Sequence, residues 1–137
     1  MFISNELGMP QPVALITGAN AGIGQVTAIE LAKKGIRVVL ATRSEQSTQP
    51  LVDRIRQMTQ SSESAIWLPL DLADLASVRA CAQSFLALKL PLRYLINNAG
   101  VAGVKGLTAQ GFEWAFGVNH LGHFLLTRLL LERLKQT

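Results

Sequence analysis

Val13-Ala-Leu-Ile-Thr-Gly-Ala-Asn-Ala-Gly-Ile-Gly24 is the stretch that decides the fold. Its first five residues, Val13 to Thr17, are apolar enough for a buried strand. From about Ile23 to Lys34 the spacing predicts a helix, with Gly35 placed to stop it. Between them lies a glycine-rich turn. Glycines let the backbone turn sharply and let a ligand come close, and the unpaired N–H groups at the start of the helix favour an anion such as a pyrophosphate. The spacing is Gly-x-x-x-Gly-x-Gly rather than the commoner Gly-x-Gly-x-x-Gly, and no Lys-Ser or Lys-Thr follows Gly24, which disfavours a phosphate-binding loop of the NTPase kind. Gly18, Asn20, Ala21, Gly22, Ile23 and Gly24 are therefore candidate dinucleotide contacts. The alternative is a glycine-rich turn with no ligand, which the flanking strand and helix disfavour.

Outward from this loop, short apolar runs alternate with helix-length segments. Arg37–Ala41, Ala65–Leu70 and Leu92–Ile96 are strand candidates. Gln49–Gln60 is a helix candidate, because Pro50 suits a first turn and Leu51, Ile55 and Met58 recur at helical spacing. Leu75–Leu88 is another, with Val78, Cys81, Ala82 and Phe85 on one face, and Thr108 to about Lys135 is expected to be one closing helical stretch. Strand, helix, strand at this rhythm implies right-handed crossovers and a parallel sheet with helices on both faces. The expected fold is α/β, a Rossmann-type doubly wound sheet truncated to strand order 3-2-1-4, with strand 4 left as an open edge. The expected division is a leader over residues 1–12 and a partial dinucleotide-binding domain over residues 13–137.

Composition narrows the class. Hydrophobic residues make up 49% of the 137 and charged residues 16%, which is apolar for a small soluble domain. The net charge of +4 is carried by thirteen scattered Lys and Arg; the longest basic run is Lys33-Lys34, so no nucleic-acid partner is expected. Cys81 stands alone, which rules out an internal disulfide and fits a reducing compartment. Met1 to Pro12 has neither the basic start nor the apolar run of a signal peptide. Phe124–Leu131 is interrupted by Arg128 and is much shorter than the ~20 residues of a membrane span. The expected location is the cytoplasm, with no membrane partner.

Four further stretches carry chemistry. An acid about 20 residues past the glycine loop would hold a ribose 2′-hydroxyl. Ala41-Thr-Arg-Ser44 has none, and Arg43 could instead meet a 2′-phosphate with a forked, charge-assisted contact. This predicts NADP(H) over NAD(H), against the alternative of a solvated arginine at a strand end and with Glu45 close by. Asp71-Leu72 follows the third strand, where Asp71 taken by itself reads as a turn or cap residue before Leu75. Asn97-Asn-Ala-Gly100 closes the fourth strand at the switch point where a nucleotide crevice opens, making Asn98, Ala99 and Gly100 candidates. In Val118-Asn-His-Leu-Gly-His-Phe124, Asn119 is a poor helix former placed mid-helix. His120 and His123 could share a helix face, but no third ligand is evident, so helix packing is expected rather than a metal.

Taken together, Thr17-Gly-x-x-x-Gly-Ile-Gly24, Asn97-Asn-Ala-Gly100 and the motif around Asn119 resemble the short-chain dehydrogenase/reductase family from about Val13 to Leu134. The run from Gly106 to Thr127 looks like its branch of retinol dehydrogenases, protochlorophyllide reductase-like proteins and WW-domain oxidoreductases. The resemblance implies that the Asp71 side chain and Leu72 backbone contact adenine and that Asn97–Gly100 line the cofactor ribose. It also implies that Asn119, in a slightly distorted helix, holds a water relaying protons to a catalytic lysine. Asn119 is thus the one catalytic candidate, because the family's Ser and Tyr-x-x-x-Lys lie beyond this motif. Tyr94 is the only tyrosine, and Asn98, not lysine, stands four residues after it. The family reaction moves a hydride between nicotinamide and a carbonyl or alcohol carbon. The expectation is the cofactor-binding portion of such an enzyme, inactive alone, acting in full length on a small, apolar carbonyl or alcohol substrate. Retinol dehydrogenases often carry an N-terminal membrane anchor; none is visible here, so a retinoid is not implied. Phe124–Leu134 is apolar on more than one face, and the resemblance places it at a subunit interface of a homo-oligomer. The alternative is a non-catalytic NADP(H)-binding or subunit-interaction module.

Overall fold

The computed structural model describes residues 8–137; of the leader expected over 1–12, residues 1–7 lie outside the described residues. Just before the first strand, the Gln11 amide donates to Gly35 O at 2.9 Å and Pro12 O accepts the Arg37 N–H, also at 2.9 Å. The chain then runs β1 (Val13–Thr17), α1 (Gly22–Lys33), β2 (Arg37–Thr42), α2 (Glu45–Thr59), β3 (Ala65–Pro69), α3 (Leu75–Ala87) and β4 (Tyr94–Ile96). It closes with a short helix α4 (Trp114–Phe116), a π-helical segment (Gly117–Gly122) and α5 (His123–Lys135). The four strands form one parallel sheet in the order β3-β2-β1-β4. β1 is central, with Leu15 opposite Val39 on one side and Leu95 on the other.

Both faces of the sheet are covered, which is why β1 and β2 read as unbroken apolar runs. Successive side chains alternate between faces. Val13, Leu15, Val39 and Ala41 pack with Val78, Phe85 and Leu126 of α3 and α5. Ala14, Ile16, Val38 and Leu40 pack with Ala28, Val52 and Ile55 of α1 and α2. The α3 face expected from the sequence is the one buried: Val78, Cys81, Ala82 and Phe85. Burial pushes the Cys81 thiol up to about 11.

Three sequence expectations need correction. The second helix begins at Glu45, not Gln49, because Ser44 caps it by accepting the Ser47 N–H at 3.2 Å; Pro50 sits in the second turn. The fourth strand is shorter, pairing from Tyr94. The largest departure is at the end of the chain, where no helix starts at Thr108. Leu107 and Glu113 form an antiparallel bridge around a tight loop, with the Thr108 N–H donating to Phe112 O at 2.7 Å and Gly111 at φ +85°. Gln110 pins this loop to the start of α3, accepting from the Leu75 N–H and donating to Asp74, each at 3.0 Å. That amide, with the Ala76 N–H, holds the Asp74 carboxyl below the usual carboxylate range.

Candidate cofactor site

The C-terminal ends of all four parallel strands open on one side, where a doubly wound sheet binds its ligands. A cleft of about 750 Å³ lies there. Gly18, Asn20, Ala21, Gly22 and Ile23 line it from the β1–α1 turn, and Arg43 lines it from the end of β2. Asp71 and Leu72 enter from the end of β3, and Asn98, Ala99 and Gly100 from the end of β4. The sequence candidates from Gly18 to Gly100 thus converge on a single cavity. Gly24 and Asn119 are the exceptions: Gly24 is buried under the turn, and Asn119 is not part of the cleft wall.

Glycine is required at three places in this turn, for three reasons. At Gly18, with φ +65°, a Cβ would stand 2.8 Å from Ala99 Cα, so the turn could not close on the β4 loop. At Gly24 a Cβ would collide with the Asn98 amide nitrogen and lie 2.8 Å from Gly18 O, so α1 could not approach the sheet. At Gly22, with φ +56°, a Cβ would meet nothing within 4 Å. There the positive φ, not crowding, is what favours glycine.

The start of α1 leaves N–H donors that an anion could meet. α2 and α3 satisfy their first N–H groups with their own side chains, Ser44 and Asp74. The residue before α1 is Ala21, which makes no side-chain cap, and the first turn holds no acidic residue. Those orphan donors and the positive end of the helix face the cleft. A dinucleotide pyrophosphate fits this cradle, with Gly22 offering close approach. At the end of β2, the exposed Arg43 has no hydrogen bond or ion pair with other described residues and stands near the Asn20–Ser47 pair, joined at 3.1 Å. Ser44 and Ser47 also line this part of the cleft; serines in a loop carry no spacing signal that would mark them as site residues. Asp71 does part of what each alternative anticipated: its Oδ1 accepts the Ala73 N–H at 2.9 Å as a turn residue, and it still lines the cleft.

Behind the cleft, Asn98 ties β4 to β1. Its amide donates to Thr17 O at 3.0 Å and to Gly18 O at 3.3 Å. The Asn98 and Ala99 N–H groups both donate to Thr17 Oγ1, at 2.9 and 3.0 Å. Asn119 lies in the π segment, so the helix is distorted where the family resemblance implied it. Its amide pairs both ways with the Val101 backbone, accepting from the N–H and donating to the C=O at 2.8 Å each. The two histidines do not share a face. His120 is exposed and stacks between Phe116 and Phe124, with ring centroids 5.2 and 6.2 Å away. His123 is buried, with Nδ1 against Asn119 O and Nε2 against the Thr17 hydroxyl.

Known proteins share this architecture. A family model described as short chain dehydrogenase matches residues 12–137. Retinol dehydrogenase 12 of Mus musculus is 51% identical over 135 residues, which is 98% of this chain and 42% of that protein. Polyprenol dehydrogenase of Mus musculus is 54% identical over 129 residues, 92% of this chain and 38% of that one. The chain thus spans less than half the length of these relatives. Among solved structures, an alcohol dehydrogenase from the archaeon Thermococcus sibiricus, complexed with 5-hydroxy-NADP, is similar with a TM-score of 0.80 at 28% identity, covering 93% of this chain and 55% of that one. A 3-ketoacyl-(acyl-carrier-protein) reductase from Brucella melitensis, complexed with NADH, gives a TM-score of 0.73 at 32% identity, covering 91% and 50%. The chain belongs to the short-chain dehydrogenase/reductase family of oxidoreductases, on its retinol dehydrogenase branch.

Proposed function

We propose that residues 13–137 form the NADP(H)-binding portion of an oxidoreductase that moves a hydride between nicotinamide and a carbonyl or alcohol carbon. The observation that carries this is the pairing, across one cleft, of an uncapped α1 N-terminus with an Arg43 that has no partner among the described residues. The α1 N–H groups and Gly22 hold the pyrophosphate, Asp71 and Leu72 meet the adenine, and Asn98 to Gly100 line the ribose. Arg43 takes the 2′-phosphate, with no acid at the end of β2 to repel it. When bound, the cofactor supplies the hydride.

Within these 137 residues the proton-handling part of the reaction has no Tyr-x-x-x-Lys pair. Asn119 is the one member of the relay present, and these residues alone do not turn over substrate. The substrate is a small, apolar carbonyl or alcohol met by the full-length protein, and this portion works in the reducing cytoplasm, where Cys81 stays a thiol. The exposed Phe116–His120–Phe124 stack supports a homo-oligomer contact through the closing helix; a monodisperse monomer in sedimentation velocity would contradict it.

The test is a calorimetric titration with NADPH and NADH in parallel. A charge-assisted contact to the 2′-phosphate favours NADPH by about tenfold to a hundredfold, and Arg43→Ala removes that preference while leaving NADH binding unchanged. Equal affinities in the unaltered chain would sink the NADP(H) assignment.

A further inference from the structure

Thr17 and His123 stand 106 positions apart and meet in the interior through a 2.8 Å contact between the hydroxyl and Nε2. Thr17 is fully buried and His123 is 6% exposed. Every hydrogen in this contact can be assigned by counting. A threonine hydroxyl has one O–H to give and two lone pairs to receive with. Two N–H groups already donate to Thr17 Oγ1, that of Ala99 and that of Asn98, which it shares with Ile96 O at 3.0 Å. Its proton must therefore be donated, and Nε2 is the acceptor. At the other side of the ring, Nδ1 is 3.1 Å from Asn119 O, a carbonyl that can only accept. Nδ1 therefore carries the hydrogen, and the ring is the neutral Nδ1–H tautomer.

We propose that His123 is a positioning residue of the nucleotide cleft: by accepting the Thr17 proton, it turns the Thr17 lone pairs toward the Asn98 and Ala99 N–H groups and so fixes the β4 loop against the glycine turn. An imidazolium, or the opposite tautomer, would present a hydrogen to an oxygen to which two N–H groups already donate. Thr17 would then have to rotate away from one of the two amides. The same ring holds the carbonyl of Asn119, whose side chain is paired with Val101, the residue directly after the β4 motif. One imidazole thus ties together the end of β1, the loop after β4 and the π segment. Both of its partners are uncharged, and burial holds its pKa below the ordinary histidine value. Among the described residues, no charged side chain bonds to the ring. β1 carries no titratable side chain, and Tyr94 of β4, His120 of the π segment and Arg128 of α5 are not partners of it.

This assignment builds on the NADP(H) reading of the cleft, and its test separates the two. The first arm needs no cofactor: nitrogen-15 NMR of the full 137-residue chain at pH 7.5 should show the His123 ring with a protonated Nδ1 and an unprotonated Nε2. A protonated Nε2 would overturn the proposal. The second arm compares His123→Gln, whose Oε1 can take the Nε2 place as acceptor, with His123→Leu, which offers none. The amide proton shifts of Asn98 and Ala99 should stay near their original values in the Gln variant and move in the Leu variant. NADPH affinity should fall by roughly fivefold to tenfold in the Leu variant, the equivalent of one buried hydrogen bond, with recovery in the Gln variant. Equal behaviour of the two variants would show that His123 merely fills space. If the unaltered chain binds no NADPH, the cofactor reading fails, and the tautomer and amide shifts still decide the role of His123.

Discussion

Replacing Gly24 by alanine adds one methyl group and should cost far more than a methyl usually does. The new Cβ would press on the Asn98 amide nitrogen, stand 2.8 Å from Gly18 O and 3.0 Å from Ala19 Cα. The last two are backbone atoms, which cannot rotate away as a side chain would. Relief requires either displacing α1 from the sheet or breaking the Asn98 bonds to Thr17 O and Gly18 O. Overpacking of this kind costs about 1–3 kcal/mol, and each hydrogen bond given up adds about 1 kcal/mol. Against this, alanine is the better helix former by up to about 1 kcal/mol. The net loss is about 1–4 kcal/mol, to be read from urea unfolding as a lower midpoint at unchanged slope. The double variant Gly24→Ala with Asn98→Ala should recover only part of the loss, because the Gly18 and Ala19 contacts remain. A Gly24→Ala chain as stable as the original would refute the close approach of α1 to the β4 loop.

Two further outcomes follow from buried groups. Cys81, with its thiol pushed up to about 11 by burial, should resist a thiol reagent at pH 7.4 in the folded chain and react fully once urea unfolds it; rapid labelling of the native chain would count against a closed α3–sheet interface. His123 is held below the ordinary histidine value of about 6.5 by burial, the Asn119 carbonyl opposing in part. The unfolded chain therefore binds the proton first as pH falls, so His123 contributes its stability in full above about pH 6.5. That contribution declines below this value and levels off once the folded-state value has been passed. Unfolding midpoints measured from pH 8 to pH 5 should fall for the unaltered chain and less steeply for His123→Gln, and parallel profiles would remove His123 as the cause.

Much of this architecture is legible in the sequence, because it rests on local patterns. β1 and β2 are apolar on both faces, so their unbroken runs could only be central strands. Alternation with helices then forces the parallel order, and that order carries the short motifs after each strand to one end of the sheet. That is why Gly18, Arg43, Asp71 and Asn98, which say little singly, predict a common cleft. What could not be read depends on competition or on long-range pairing. Pro50 and Ser44 both signal the start of α2, and the Ser44 cap prevails because a side-chain acceptor satisfies an N–H that a proline merely lacks. Thr108–Glu113 has helix-compatible composition, but Gly111 at φ +85° and the Gln110 link to α3 hold it as a loop. The Thr17–His123 contact leaves no trace in spacing, since its meaning comes from counting donors and acceptors among residues 106 positions apart.

The central claim is that one cleft, at the C-terminal ends of these four strands, receives the nucleotide. Amide chemical shifts of the 137-residue chain, recorded as NADPH is added, test it directly. The account predicts that the largest changes fall on Gly18 to Gly24, on Arg43 and Ser44, on Asp71 and Leu72, and on Asn98 to Gly100, with the far ends of the strands unmoved. Changes centred on the exposed Phe116–Phe124 face, or none at saturating NADPH, would contradict it.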